Sequence, residues 1–319
     1  MISYSVIIPV YNRGNSIINC LNSVLIQRVK PVEVIIVDDN STDNTKDIIK
    51  SLKNPLIKLV ELKENKGAQH ARNIGVKETK TDWIAFIDSD DVWENNKIDI
   101  QLDELKKYNF SDEYFTNGIC YRVFQEDDRQ EVWNLSFNGN SHNKIYQNLL
   151  IEPGPMFQGL LVSKQKLKEI SYLDEEIISY QEWDTHLRLM KVAKPLWIKT
   201  PLFTYYINKS SSFRGKENWS RGYLQILKKN KSEIFEFHSK SVYENLVYKM
   251  LAQVLDWGEF KLCKKLLKEN STELNFLQKR KLKLYLLLKK RPNEIKFLRF
   301  FLKNPYYGIK HLVKKILNK

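Results

Sequence analysis

The N-terminal two-thirds of the chain predict an α/β fold, a parallel sheet flanked by helices, followed by a basic helical region. Three observations carry that prediction. Short β-branched or aromatic apolar runs at residues 5–10, 32–37, 57–60 and 83–87 have the pattern of strands buried on both faces. Apolar residues at helical spacing lie between them, and this alternation implies parallel pairing through right-handed crossovers. Charge then divides the chain: residues 218–319 carry 24 Lys+Arg against 8 Asp+Glu, so within a total of +14 residues 1–217 hold only −2. The expected organisation is a near-neutral domain over 1–217 and a basic helical region over 218–319.

Each element follows from its residues. The first run leads into Pro9, Val10, Tyr11 and Asn12, after which Ile17, Ile18, Leu21, Val24 and Leu25 mark a helix. The second ends at Asp38, Asp39, Asn40, Ser41, Thr42 and Asp43, followed by Ile48, Ile49 and Leu52 at helical spacing. The third leads to Asn65, Lys66 and Gly67 and then Ala71, Arg72, Asn73, Ile74 and Gly75. The fourth ends at Asp88, Ser89, Asp90 and Asp91. Ligands of such sheets bind beyond the carboxyl ends of the strands, so these polar strand ends are the candidate site. Further along, Gly154 to Gly159 followed by Leu160, Leu161 and Val162 reads as a turn into a strand.

Composition narrows the class. A content of 42% apolar residues with 11 Gly and 9 Pro is that of a packed protein, not a collagenous or disordered one. Cys20, Cys120 and Cys263 are odd in number and far apart, which argues against a disulfide framework or a zinc cluster and for a reducing compartment. The start lacks a basic segment followed by a long apolar one, and no apolar stretch approaches the roughly 20 residues needed to cross a bilayer. A soluble or peripheral protein is the expectation.

The acidic strand end carries the chemistry. In an extended segment residues i and i+2 point the same way, so Asp88 and Asp90 are expected to converge on one ligand while Ser89 and Asp91 turn elsewhere. Hard oxygen donors suit Mg2+ or Mn2+, which bind through one or two carboxylates plus substrate phosphates. No GxGxxG follows the first strand and no GxxxxGK[ST] is present, so a diphosphate must be neutralised by such an ion and not by a glycine loop. The competing reading of an Asp-rich turn is loop punctuation.

Four ordered segments now carry a resemblance: residues 5–12, residues 37–43, Asn65 to Gly67 with Ala71 to Gly75, and residues 86–91. Together they resemble the successive motifs of family 2 glycosyltransferases. The resemblance implies a GT-A fold, a Rossmann-like mixed sheet flanked by helices, with a nucleotide-sugar-binding half over 1–110 and an acceptor-binding half over 111–217. It implies that Pro9, Val10 and Tyr11 line the base and ribose, that Asp39 hydrogen-bonds the nucleobase, and that Arg72 helps hold the nucleotide. Asp88 would contact the ribose, Ser89 would belong to the donor site, and Asp90 would be the metal ligand. Simpler readings stand beside these: Asp38 or Asp39 as a helix cap, and Arg72 as a solvated helix residue.

Residues 179–189 resemble the same family's acidic helix start followed by a Leu/Arg stripe, which implies Glu182 as the general base for the acceptor hydroxyl. Gln181 and Glu182 stand where family members commonly present Glu and Asp, so Asp184 is the alternative base. Trp183 is a candidate apolar wall that raises the carboxylate's pKa, and His70 is assigned nothing. Asn208 falls where some relatives place a metal-binding histidine. Tyr114, Phe115, Tyr121, Trp133 and Phe137 are weak candidates for an acceptor site.

These parts together predict an inverting transfer from a nucleoside-diphosphate sugar, a UDP-sugar by analogy, to a saccharide or lipid-linked saccharide acceptor in surface-polysaccharide synthesis. From Lys279 to Lys319 there are 14 Lys/Arg and one Glu, interleaved with Leu and Phe. Ile309, Leu312, Val313, Ile316 and Leu317 form an amphipathic stripe. A basic amphipathic helix reads as an anchor on an anionic membrane, equally as a subdomain packed on the core. The expected location is the cytoplasm, with the first option adding a peripheral position on the inner face of the cell membrane. No nucleic acid partner is expected, because no nucleic-acid-binding motif appears, although a basic nucleic-acid-binding protein and a nucleotidyltransferase are the alternative classes.

Overall fold

The structure, a computed structural model, describes residues 2–133, 141–207 and 215–288. The chain divides into two compact units, Met1–Gly215 and Lys216–Lys319.

In the first unit the alternating apolar runs form a sheet of seven strands in the order β3-β2-β1-β4-β9-β6-β10. β1 (Tyr4–Val10) and β2 (Glu33–Asp38) are buried almost throughout, as strands covered on both faces must be. β3 (Ile57–Glu61) lies at the sheet edge and is only partly buried. β4 (Trp83–Phe86) pairs with the other side of β1. These four strands are parallel, but β9 (Leu161–Ser163) runs antiparallel to both β4 and β6 (Tyr114–Gly118), and β10 (Lys194–Ile198) parallel to β6, so the sheet is mixed. β5 (Val92–Trp93), β7 (Cys120–Phe124), β8 (Arg129–Trp133) and β11 (Phe203–Ile207) make a second sheet in the order β5-β11-β7-β8.

Helices cover the main sheet because successive strand residues face opposite sides. Val6, Ile8, Val34 and Ile36 pack with Ile17, Leu21 and Val24 of α1 (Ile17–Leu25) and with Ile49 of α2 (Thr45–Ser51). Ile35 and Val37 face the other way, onto Ala71 of α3 (Ala68–Glu78). Gly75 lets α3 come close to β1, since a Cβ there would stand 2.5 Å from Ile7 Cγ2. That close approach sets Arg72, one turn earlier, beside the end of β4. α4 (Lys97–Lys106), α5 (His142–Leu149), α6 (Lys164–Glu169) and α7 (Gln181–Leu189) complete the unit.

Strand order reverses at β1: the chain runs outward through β2 and β3, then returns to place β4 on β1's opposite side. The carboxyl ends of β1 and β4 therefore flank a topological switch point, where open α/β sheets bind their ligands.

The second unit is helical among its described residues: α8 (Lys216–Lys229), α9 (Lys231–Phe237), α10 (Lys240–Asp256), α11 (Phe260–Glu269) and α12 (Phe276–Leu288). Tyr243, Leu246, Val247, Leu251, Val254 and Leu255 of α10 are buried, as are Cys263, Leu266 and Leu267 of α11. The stripe from Ile309 to Leu317, Asn208 and Phe137 lie outside the described residues.

Candidate active site

The loops after β1 and β2 hold each other. Asn12 takes a left-handed conformation, φ 52°, and its Oδ1 accepts from the backbone of Thr42 at 2.8 Å and Asp43 at 3.3 Å. In return its own N–H donates to Ser41 Oγ at 2.9 Å, and Arg13 N–H donates to Thr45 Oγ1 at 2.8 Å. Pro9 and Val10 are buried at the end of β1, whereas Tyr11 is 43% exposed beyond it.

Neither Asp38 nor Asp39 caps α2. Asp38 is buried and accepts from Ser41 N–H at 2.9 Å. Asp39, also buried, accepts from Lys66 N–H at 2.8 Å with one oxygen and from Gly67 N–H at 2.7 Å with the other. It thus pins the loop that starts α3, where Gly67 needs its φ of 90°. Asp43 takes the helix-start role instead, accepting from Thr45 N–H at 3.0 Å.

Arg72 is not a solvated helix residue. It is buried, with Nη2 2.5 Å from Asp88 Oδ1, Nη1 donating to Gln69 Oε1 at 2.9 Å, and the guanidinium 4.4 Å from the centre of the Phe157 ring. Gln158 Nε2 reaches Asp88 Oδ2 at 2.9 Å and also bonds Asp91. Phe157 and Gln158 form a short 3-10 turn before β9, so the predicted turn into a strand is present and contributes two contacts that sequence reasoning did not assign. Only their position next to a strand entering the sheet hinted at it.

The expected convergence of Asp88 and Asp90 through an extended strand end does not hold. β4 stops at Phe86, and Asp91 N–H donates to Asp88 O at 3.1 Å, closing a turn. A turn splays the three carboxylates instead of alternating them. Asp88 faces Arg72 and Gln158. Asp90, its side chain 44% exposed, is met by Arg13 Nε at 3.2 Å. Asp91 goes inward, accepting from Tyr206 N–H at 3.2 Å as well as from Gln158. Ser89 is buried, and its carbonyl accepts from Ser16 Oγ at 2.9 Å. Although its oxygens reach solvent, the partial enclosure of Asp90, then the charge of Asp88, acts to raise its carboxyl above the usual range, with Arg13 acting against that rise. Burial and both neighbours raise Asp91 further.

Glu182 lies in the first turn of α7, just after Tyr180, which adopts a left-handed φ of 58°. Burial raises its pKa, Arg72 pulls it down and Asp88 pushes it up, so its carboxylate lies in the electrostatic field of the β4 turn. Tyr205 responds to the same set: burial and then Asp91, Asp88, Asp90 and Glu182 raise its hydroxyl well above the ordinary range. Sequence reasoning did not assign Tyr205. Asp184 is corrected as a candidate base: it is buried and paired to Arg188 Nε at 2.8 Å. Trp183, next to Glu182, is fully buried, and its indole N–H donates to Leu149 O at 2.5 Å. Phe115, weakly suggested for an acceptor site, is core.

His186 fixes the start of α7. Asn117 Nδ2 donates to Met156 O at 3.0 Å while its Oδ1 accepts from Gly118 N–H at 2.7 Å, which sets the amide's orientation. His186 Nε2, 2.8 Å from that Nδ2, must therefore accept, and Nδ1–H donates to Glu182 O at 2.7 Å. Burial lowers the imidazole to about 4, so it stays neutral in this role.

Among the described residues no group of three or more His, Cys, Asp or Glu side chains is placed to hold a metal by itself. The donor set nonetheless fits an ion shared with a ligand: Asp90 offers one half-exposed carboxylate at the switch point.

Residues 5–163 match the family model for glycosyl transferase family 2, and the chain belongs to that family, with the GT-A fold. An uncharacterised glycosyltransferase of Rickettsia bellii is 40% identical over 144 residues, 45% of this chain and 20% of the relative. The chain thus spans about a fifth of that relative's length. The Escherichia coli protein described as UDP-Glc:alpha-D-GlcNAc-diphosphoundecaprenol beta-1,3-glucosyltransferase WfaP is 43% identical over 109 residues, 34% of this chain and 43% of the relative. Among solved structures, Staphylococcus aureus TarS 1–349 superposes with a TM-score of 0.60 at 19% identity, over 91% of this chain and 88% of that one.

Proposed function

We propose that the chain transfers a sugar from a nucleoside-diphosphate sugar, a UDP-sugar, to a saccharide or lipid-linked saccharide acceptor, with inversion at the anomeric carbon. The observation that carries this reading is positional: the acidic turn after β4 lies beside the end of β1 at the sheet's switch point, where buried Arg72 pairs with Asp88 at 2.5 Å. The relatives support it, WfaP by its UDP-glucose donor and diphosphoundecaprenol acceptor, and a Pyrobaculum calidifontis mannosyltransferase of like fold by its complex with GDP-Man and Mn2+.

Tyr11, exposed at the end of β1, offers a face for the base, with Pro9 and Val10 shaping the floor. Asp39 serves the nucleobase while holding the Lys66–Gly67 loop, and Arg72 keeps Asp88 oriented toward the ribose, with Ser89 at the same edge. A divalent ion, Mn2+ or Mg2+, would be held by Asp90 and would supply positive charge to the leaving diphosphate.

Glu182 accepts the proton of the acceptor hydroxyl as that oxygen bonds the anomeric carbon and the bond to the diphosphate oxygen breaks. Its raised pKa makes it a better proton acceptor than an ordinary glutamate, and neutral His186 keeps the first turn of α7 in place. The basic second unit brings the enzyme to the inner face of an anionic membrane, where a lipid-linked acceptor resides.

The test is a screen of UDP-, GDP- and TDP-sugars with Mn2+, reading release of nucleoside diphosphate with and without undecaprenyl-diphosphate-linked saccharides. Release that requires Glu182 supports the reading; no release from any donor overturns it.

A further inference from the structure

Two arginines neutralise the acidic turn after β4, and they differ in one respect. Arg72 is buried and locked, its guanidinium between Asp88, Gln69 and the Phe157 ring. Arg13 is not locked in this way. Its side chain is 43% exposed and touches Asp90 through a single Nε contact at 3.2 Å. Nη1 donates to Tyr11 O at 3.3 Å and Asn12 O at 3.1 Å, and Nη2 has no partner among the described residues. The backbone beneath it is clamped: Asn12 and Arg13 N–H groups bond Ser41 and Thr45, and Gly14 N–H bonds Asp43 Oδ2 at 3.2 Å. A guanidinium with spare donors thus stands on a rigid loop at the switch point, paired with the carboxylate best placed to receive a cation. Its planar fork matches phosphate oxygens better than the single carboxylate contact it now makes.

We propose that Arg13 is an exchangeable counter-charge of the donor site. In the empty cleft it neutralises Asp90, and when a nucleoside diphosphate binds, its guanidinium moves to the phosphates and leaves Asp90 to the divalent ion. This rests on the donor-site reading above and adds a consequence to it. Arg13 competes with an ion that arrives alone and cooperates with one that arrives with the diphosphate, so metal and nucleotide bind with positive coupling, which must be reciprocal.

The experiment measures Mn2+ binding to the full chain by electron paramagnetic resonance of the free ion, without and with uridine diphosphate, and uridine diphosphate binding by calorimetry in chelator. Arg13→Gln removes the competitor, so Mn2+ alone binds roughly 2–5-fold more tightly, the range of an exposed ion pair. Uridine diphosphate in chelator binds about 10-fold or more weakly, because a charge-assisted contact is lost, and the coupling shrinks. Arg13→Lys keeps the charge, leaving Mn2+ alone near the wild-type affinity while weakening the nucleotide. Lys58→Gln, an equal change of net charge at an exposed pair with Glu78, alters neither. Circular dichroism confirms that each variant is folded. If wild type binds uridine diphosphate and Arg13→Gln leaves Mn2+ affinity unchanged or weaker, the exchange is wrong and the donor reading stands. If wild type binds no nucleotide with or without Mn2+, both fall.

Discussion

Arg188 Nε lies 2.8 Å from Asp184 Oδ2, an ion pair that commits one of the two carboxylates in the first turn of α7. Two acidic residues one half-turn apart look interchangeable in the sequence. One is buried and committed to an arginine that also donates to Ile170 O and Tyr172 O, each at 2.6 Å. The other, Glu182, lies in the field of Arg72 and Asp88. Glu182→Gln is therefore expected to lower kcat about 100- to 10,000-fold, the usual worth of a general base, with nucleotide affinity retained. Asp184→Asn is expected to act on stability instead, lowering Tm while sparing kcat per folded molecule. Steady-state kinetics with thermal melts separate the two.

The pH profile follows from the sign of the shift. As the proposed base, Glu182 can accept a proton only when ionised, and burial raises its pKa above the ordinary 4.5. The rate should rise with pH through a midpoint above 4.5, so activity is lost on the acid side earlier than an exposed glutamate would lose it. Measuring kcat against pH in wild type, and its absence of an acid limb in the residual activity of Glu182→Gln, checks the assignment.

Removing Arg72 leaves Asp88 with Gln158 as its side-chain partner among the described residues, and leaves its charge beside Asp90 and Asp91 less compensated. Arg72→Met should cost on the order of 2–3 kcal/mol of unfolding free energy, less than a fully buried pair because Asp88 is about one-third exposed. It should also weaken uridine diphosphate binding. Urea denaturation and calorimetry read the two effects.

Chelation and the acidic turn give a further prediction. Asp90→Asn should weaken Mn2+ binding in the presence of uridine diphosphate by at least 10-fold, as charge is the chief attraction of an oxygen donor for such an ion. Asp91→Asn should do much less, since Asp91 is turned inward to Gln158 and Tyr206. Equal losses in the two variants would count against Asp90 as the ligand.

The second unit carries the membrane prediction. On α12, Phe276 and Leu277 are 68% and 66% exposed beside Lys279, Arg280, Lys281 and Lys283. No described helix is long and apolar enough to cross a membrane. Vesicles containing phosphatidylglycerol should capture the full chain, neutral vesicles should not, and release should follow rising salt because the attraction is screened. Phe276→Ser with Leu277→Ser should weaken capture.

Local chemistry made the first four strands, their helices and the polar strand ends readable from the sequence. Fully buried parallel strands need unbroken apolar runs, and helices that cover them need apolar stripes, so β1, β2, β4 and α1 were legible from composition and spacing. The ordered motifs around Asp39, Arg72 and Asp88 also named the family. Partner choice was decided elsewhere, because it depends on contacts between residues far apart in the chain. Whether Asp39 caps α2 or pins Lys66 and Gly67, and whether Arg13 or Gln158 reaches the carboxylates after β4, are settled by loops 27 to 77 positions away. The sequence by itself determined which residue types line the strand ends. Only the tertiary structure decided which carboxylates are paired, which are buried and which remain open to a ligand, since charge pairing and desolvation are properties of three-dimensional neighbourhood.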